Sequence, residues 1–227
     1  VKLLLINSSD KNSFAAFWNS GKAEISYSSE FKNKEEKYFK EPDNLIKCIY
    51  KISQNNDLKS AEAIAVNTGP GSFTGLRVGL AIAKGIAFLS NIKIIPINNF
   101  ELLINRFYEY EKNGRTKFCV LIESKHPEYY YGILNNKKIE QTGVTNIEEL
   151  TEIIDKETII AGDFDDETEL KHSYFRIINI KNQRSEFEAM LEIAINSFKL
   201  NKTENPSAII PYYIKDFQIK NFRKNNI

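Results

Sequence analysis

The strongest chemical signal in this 227-residue chain is the run Thr68-Gly69-Pro70-Gly71-Ser72-Phe73-Thr74-Gly75, with Arg77 and Gly79 close behind. Five of the ten glycines fall between Gly69 and Gly85. A tight turn opening a helix presents backbone amides, which is how many loops hold a phosphate. Neither common nucleotide pattern is followed, however. No Lys-Ser or Lys-Thr trails the glycines as in a P-loop, and Gly69, Gly71 and Gly75 are spaced GxGxxxG rather than GxGxxG. Arg77 is the first of six arginines in a lysine-rich chain. A cation in the first turns of a helix opposes its dipole, so a partner must select it. A structural salt bridge is expected ahead of ligand contact, the planar fork suiting a carboxylate or carbonyls.

The other reactive residue types are dispersed. His126 and His172 have no partner at helical spacing that would make a metal pair. No Gly-x-Ser-x-Gly elbow occurs, and neither Cys48 nor Cys119 has a nearby histidine to activate it. Asp163, Asp165, Asp166 and Glu167 read as a solvated acidic loop, although a second phosphate loop near Gly162-Asp163 stays open. Nothing here supplies a base, a nucleophile or a metal shell, so the chain is read as non-catalytic by itself. Thirty-one basic residues against thirty acidic ones leave a net charge of +1. That excludes wrapping a polyanion through bulk charge, and the basic residues Lys215, Lys220, Arg223 and Lys224 add a few phosphate contacts at most. No apolar run is read as a membrane span, and the start is too short for a signal segment. Two lone thiols then point to a reducing cytoplasm.

These residues need elements to position them. Apolar runs bounded by polar turns predict strands at 1–6, 13–18, 23–31, 61–66 and 92–97, with helices over 42–53 and 73–89. Much of the order β-β-β-α-β-α-β then returns. Strands are predicted at 117–122, 128–134, 138–142 and 158–161, and helices at 147–154 and 186–200. Residues 100–112 form an interlobe helix. A repeated order of elements predicts two related α/β lobes, 1–100 and 101–205, each a mixed sheet flanked by helices. Residues 206–227 form a tail whose Pro211-Tyr212-Tyr213-Ile214 is expected to pack back on a lobe.

The helix after the glycine loop repeats Gly75, Gly79, Ala83 and Ala87 every fourth position, one bald face. Leu76, Leu80, Ile82, Ile86 and Leu89 are assigned to cover the sheet. The ridge is thereby left outward for close approach by a second helix, joined by Leu45, Ile49 and Ile52 of the preceding helix.

The string from Thr68 through Gly79, with Ala81 and Ala83-Lys84-Gly85, resembles the signature of the bacterial TsaB (YeaZ) family. So do Leu4-Leu5-Ile6-Asn7-Ser8-Ser9, Ala16-Phe17-Trp18-Asn19-Ser20-Gly21 and, more thinly, Ile122-Glu123-Ser124-Lys125 with Glu128-Tyr129-Tyr130 and Pro211-Tyr212-Tyr213-Ile214-Lys215. The resemblance implies an actin-like (ASKHA) fold of two RNase H-like lobes. It further implies a non-catalytic subunit in the making of N6-threonylcarbamoyladenosine at position 37 of tRNA. The partners would be a TsaD-like catalytic subunit and a TsaE-like ATPase, with tRNA met through the complex. Pairing through the first-lobe helices is implied, and self-pairing of the same face when the partner is absent. ATP or ADP at the interface of such a complex is left open, and no cofactor is assigned to this chain. Asn7, Ser8, Gly69, Gly71, Ser72 and Arg77 would form a vestigial nucleotide loop. Asn7 stands where working members of the fold place an Asp. Glu123 and Lys125 replace the family's Asp and Arg. An ATP-dependent phosphotransferase of the same fold is the alternative function.

Overall fold

The computed structural model describes residues 1–9, 13–31, 41–107, 117–124, 127–136, 138–162, 177–179 and 184–214. His126, His172, the acidic loop from Asp163, Lys125 and the basic tail from Lys215 lie outside them.

The first sheet comprises β1 (Lys2–Asn7), β2 (Phe14–Asn19), β3 (Lys22–Tyr27), β4 (Ala63–Gly69) and β5 (Lys93–Asn98), in the order β3-β2-β1-β4-β5. β1 to β3 form an antiparallel meander, and the crossovers α1 (Glu41–Ser53) and α2 (Phe73–Ser90) make β1, β4 and β5 parallel. The central strand is apolar without alternation because both its faces are covered. Leu4 and Ile6 point to the side of α1 and α2, and Leu3 and Leu5 point to the other.

The second sheet repeats this plan. It comprises β6 (Lys117–Glu123), β7 (Tyr129–Asn135), β8 (Lys138–Thr145), β9 (Ile159–Gly162) and β10 (Ile177–Asn179), ordered β10-β9-β6-β7-β8. Thus β6 stands where β1 stands, between an antiparallel and a parallel neighbour. α4 (Ile147–Ile153) covers one face through Leu150. α3 (Asn99–Arg106) covers the other through Phe100 and Ile104.

Two readings need correction. The helix assigned to the second lobe, α5 (Glu186–Lys199), lies on the first sheet, where Phe187, Met190 and Ala194 pack with Leu3, Leu5 and Phe14. The first sheet carries a fully apolar second face that must be covered, and the second sheet is already covered by α3 and α4. A capping box between Ser185 and Glu188 starts the helix there. Second, α2 is long and apolar enough by length and hydropathy to cross a membrane, although no such run was read from the sequence. Its Ala83 and Ala87 are fully buried against the first sheet, while Phe88 and Leu89 are exposed.

Candidate functional site

The carboxyl ends of β1 and β4 lie side by side, because the parallel register pairs Ile6 with Val66. Asn7 and Asn67 are therefore neighbours, and both are buried. The Asn67 amide donates to Asn7 Oδ1 at 2.7 Å and accepts from the Ser8 amide at 3.1 Å. Asn7 Oδ1 also accepts from the backbone and hydroxyl of Ser9, each at 3.1 Å. The glycine loop closes on this lattice. Ser72 N–H donates to the Ser9 carbonyl at 3.2 Å, and Asn99 Nδ2 donates to the Pro70 carbonyl at 2.7 Å. Ser72 caps α2 through a bond from the Gly75 amide at 3.2 Å, a contact of about 1 kcal/mol. Gly69 adopts φ +113°, which favours glycine.

The structure thus brings together Asn7, Ser8, Gly69, Gly71 and Ser72 of the expected loop. It adds Ser9, Asn67 and Asn99, which the sequence reading missed. Asn67 had a signal: it ends its apolar run at the register of Asn7. Asn99 had none, because it arrives from the start of α3.

Around α2 the chemistry of the loop is that of a closed turn. The Ser8 carbonyl lies 1.9 Å from where a Cβ on Gly75 would stand. A carbonyl oxygen with its negative partial charge therefore sits against the first turn of α2, on the side where the helix dipole would favour an anion.

The bald ridge does not face outward, which corrects the central expectation. Gly75, Gly79, Ala83 and Ala87 are all buried. A Cβ on Gly79 would fall 2.0 Å from Ser8 Oγ and 3.8 Å from Ile6. The small residues let α2 seat tightly on β1. Leu45 and Ile52 of α1 are likewise core residues, 1% and 0% exposed, with Ile49 packed against the same cluster. The ridge was assigned to the wrong side because a glycine in a helix signals close approach without saying to what.

The outward side carries different residues. Arg77, Ala81, Gly85 and Leu89, again four apart, are exposed along α2, and a Cβ at Gly85 would meet nothing within 4 Å. Phe88 and Leu89 are 83% and 81% exposed, and on α1 Ile46 and Tyr50 are 55% and 67% exposed. Bulky apolar side chains this bare on two helices of one sheet face are unusual for a surface that only meets water.

Arg77 also departs from expectation. Its described partners are aromatic rather than acidic: Nε donates to the Tyr213 hydroxyl at 2.8 Å, and the guanidinium lies 3.6 Å from the centroid of the Phe73 ring. Neither cysteine is poised as a nucleophile. Burial pushes the Cys119 thiol up to about 12 and raises Cys48 as well. Among the described residues no three His, Cys, Asp or Glu side chains converge as a metal site.

Two five-stranded mixed sheets of identical strand plan, each flanked by helices, define an actin-like α/β fold. A Bacteroides thetaiotaomicron protein described as having an actin-like ATPase fold matches with a TM-score of 0.50 at 9% identity, over 84% of this chain and 95% of that one. A Pseudomonas aeruginosa protein described as similar to peptidase YEAZ matches with a TM-score of 0.71 at 19% identity, over 94% of this chain and 99% of that one. In sequence, the tRNA threonylcarbamoyladenosine biosynthesis protein TsaB of Haemophilus influenzae is 33% identical over 82 residues. That match covers 36% of this chain and 34% of the relative, so the chain spans about a third of the length of that curated relative. The chain belongs to the family whose model, TsaD: tRNA N6-adenosine threonylcarbamoyltransferase, matches residues 42–183, and in sequence it is similar to TsaB proteins over part of their length.

Proposed function

We propose that the protein is a docking subunit in the threonylcarbamoyl modification of tRNA, without chemistry of its own. It would seat a TsaD-type catalytic subunit on the outward faces of α1 and α2, with a TsaE-type ATPase as a further partner and tRNA met through the complex. The observation that carries this reading is the exposure of Ile46, Tyr50, Phe88 and Leu89 on adjacent helices, beside the smooth outward positions Ala81 and Gly85. Covering one such side chain contributes roughly 1.5–3 kcal/mol. The family ties the chain to threonylcarbamoyl transfer to tRNA, and a catalytic subunit of that system is the occupant proposed for this face. Support for a non-catalytic role comes from the loop: amides and hydroxyls end β1 and β4, and chain carbonyls lie against the start of α2.

The test is co-purification of a TsaD-type subunit with the wild-type chain and with a Phe88→Ser/Leu89→Ser variant. The variant should fold normally and retain at most a tenth of the partner. Undiminished capture would overturn the docking face. An ATP-dependent phosphotransferase remains the competing activity, and calorimetric titration of the isolated chain with Mg-ATP separates the two, since only that activity requires saturable heat.

A further inference from the structure

Residues 209–214 cross from one lobe to the other within six positions. Ile209 is 2% exposed in the first-lobe core beneath α1 and α2. The Tyr212 amide donates to the Thr68 carbonyl at the end of β4, at 2.8 Å. The Tyr213 hydroxyl accepts from Arg77 on α2, and its ring packs 5.3 Å from that of Phe73. Tyr212 then turns the other way. Its hydroxyl shares a 2.9 Å hydrogen bond with Thr142 in β8 of the second sheet. Ile214 ends against the cluster that includes Phe118 and Val120 of β6.

We propose that this segment is a strap that fixes the angle between the two lobes, with Tyr213–Arg77 as its first-lobe anchor and Tyr212–Thr142 as its second. α3 also spans the lobes, with Leu102 in the first-sheet cluster and Phe100 and Ile104 in the second, and it serves as the hinge side. A hinge alone permits opening, because hinge residues absorb rotation with little loss of contact. The strap adds a tie of different kind: an anchored backbone, a stacked cation and a cross-lobe hydroxyl pair. It also packs closely over the glycine loop, where a Cβ on Gly69 would fall 3.0 Å from the Tyr212 carbonyl. Lobe angle and loop are thereby set by one short segment.

The experiment uses the full chain with spin labels at Lys59→Cys in the first lobe and Lys156→Cys in the second, both exposed positions; the native cysteines are buried and shielded from the label. Pulsed dipolar measurements give the interlobe distance distribution for the parent, for Tyr212→Phe/Tyr213→Phe, and for Tyr212→Ala/Tyr213→Ala. The parent should give one narrow distribution. The phenylalanine variant, which keeps the rings and loses both hydroxyl bonds, should broaden it, and the alanine variant should broaden it at least twofold. Amide exchange at Tyr212 should quicken about tenfold or more, while β1 and β6 stay protected. Distributions that remain narrow in both variants would overturn the strap. So would broadening accompanied by equal loss of protection in β1, which would mark a general structural role.

Discussion

Ser8 and Gly79 share one space: the Ser8 hydroxyl lies 2.0 Å from the point where a Cβ on Gly79 would stand. Helix α2 therefore seats against the turn that follows β1 partly because residue 79 lacks a side chain. Gly79→Ala should destabilise the protein by about 1–3 kcal/mol, the usual cost of overpacking, read from the urea midpoint. Adding Ser8→Gly should recover much of that loss, because both obstructing atoms leave together. Equal stability of Gly79→Ala and the parent would contradict the packing described.

Gly85 predicts the opposite sign. Its Cβ position is open and the residue is exposed in a helix interior. Gly85→Ala should stabilise the isolated chain by about 0.5–1 kcal/mol through helix propensity and a less flexible unfolded state. Gly85→Leu should leave the fold intact while weakening capture of a TsaD-type subunit by tenfold or more. Thermal melts and pull-downs on the same two variants check both halves.

The ion pair between Lys117 on β6 and Asp155 beyond α4, 2.8 Å apart, sets an acid-side prediction. The Lys117 ammonium and the Thr158 hydroxyl hold the Asp155 carboxyl down, to about 2 from 3.8. A carboxyl depressed on folding contributes stability above its unfolded value and loses it as pH falls through the folded one. The stability difference between the parent and Asp155→Asn should therefore be constant above pH 5 and shrink between pH 4 and pH 2. Denaturant midpoints at three pH values measure it. A difference that persists at pH 2 would assign the effect to something other than this charge.

Both thiols should be silent toward thiol–disulfide exchange in the native state. Cys119 is fully buried with its thiol pushed up to about 12, and Cys48 is also buried. The thiolate is the reactive form, so a disulfide reagent at pH 8 should titrate neither in buffer and two in denaturant. Rapid reaction of either residue in buffer would show that its lobe opens at low cost.

Much of the molecule was legible in its sequence because the signals are local. Uninterrupted apolar runs marked β1, β4 and β6 as strands covered on both faces, and the glycine run with Ser72 marked the start of α2. The apolar runs read at 128–134 and 138–142 became β7 and β8, with Asn136 at φ +49° between them. The repeated order of elements held the two-sheet plan. The direction in which a helix faces was not legible. Alpha2 has small residues along both Gly75-Gly79-Ala83-Ala87 and Ala81-Gly85, and periodicity alone does not choose which stripe meets the sheet. Only the proximity of Ser8 to Gly75 and Gly79 decides it. The seat of α5 and the partners of Arg77 are likewise tertiary facts. The helix ends ninety residues or more beyond the strands it covers, and Tyr213 reaches Arg77 across 136 positions of chain. The sequence by itself determined most of the strands and helices, though not β10 at Ile177–Asn179, and the family they resemble, because those signals depend on neighbours along the chain. The tertiary structure alone decided which face is inside, which helix covers which sheet, and which cation meets which ring, because those depend on contacts whose members no spacing rule connects.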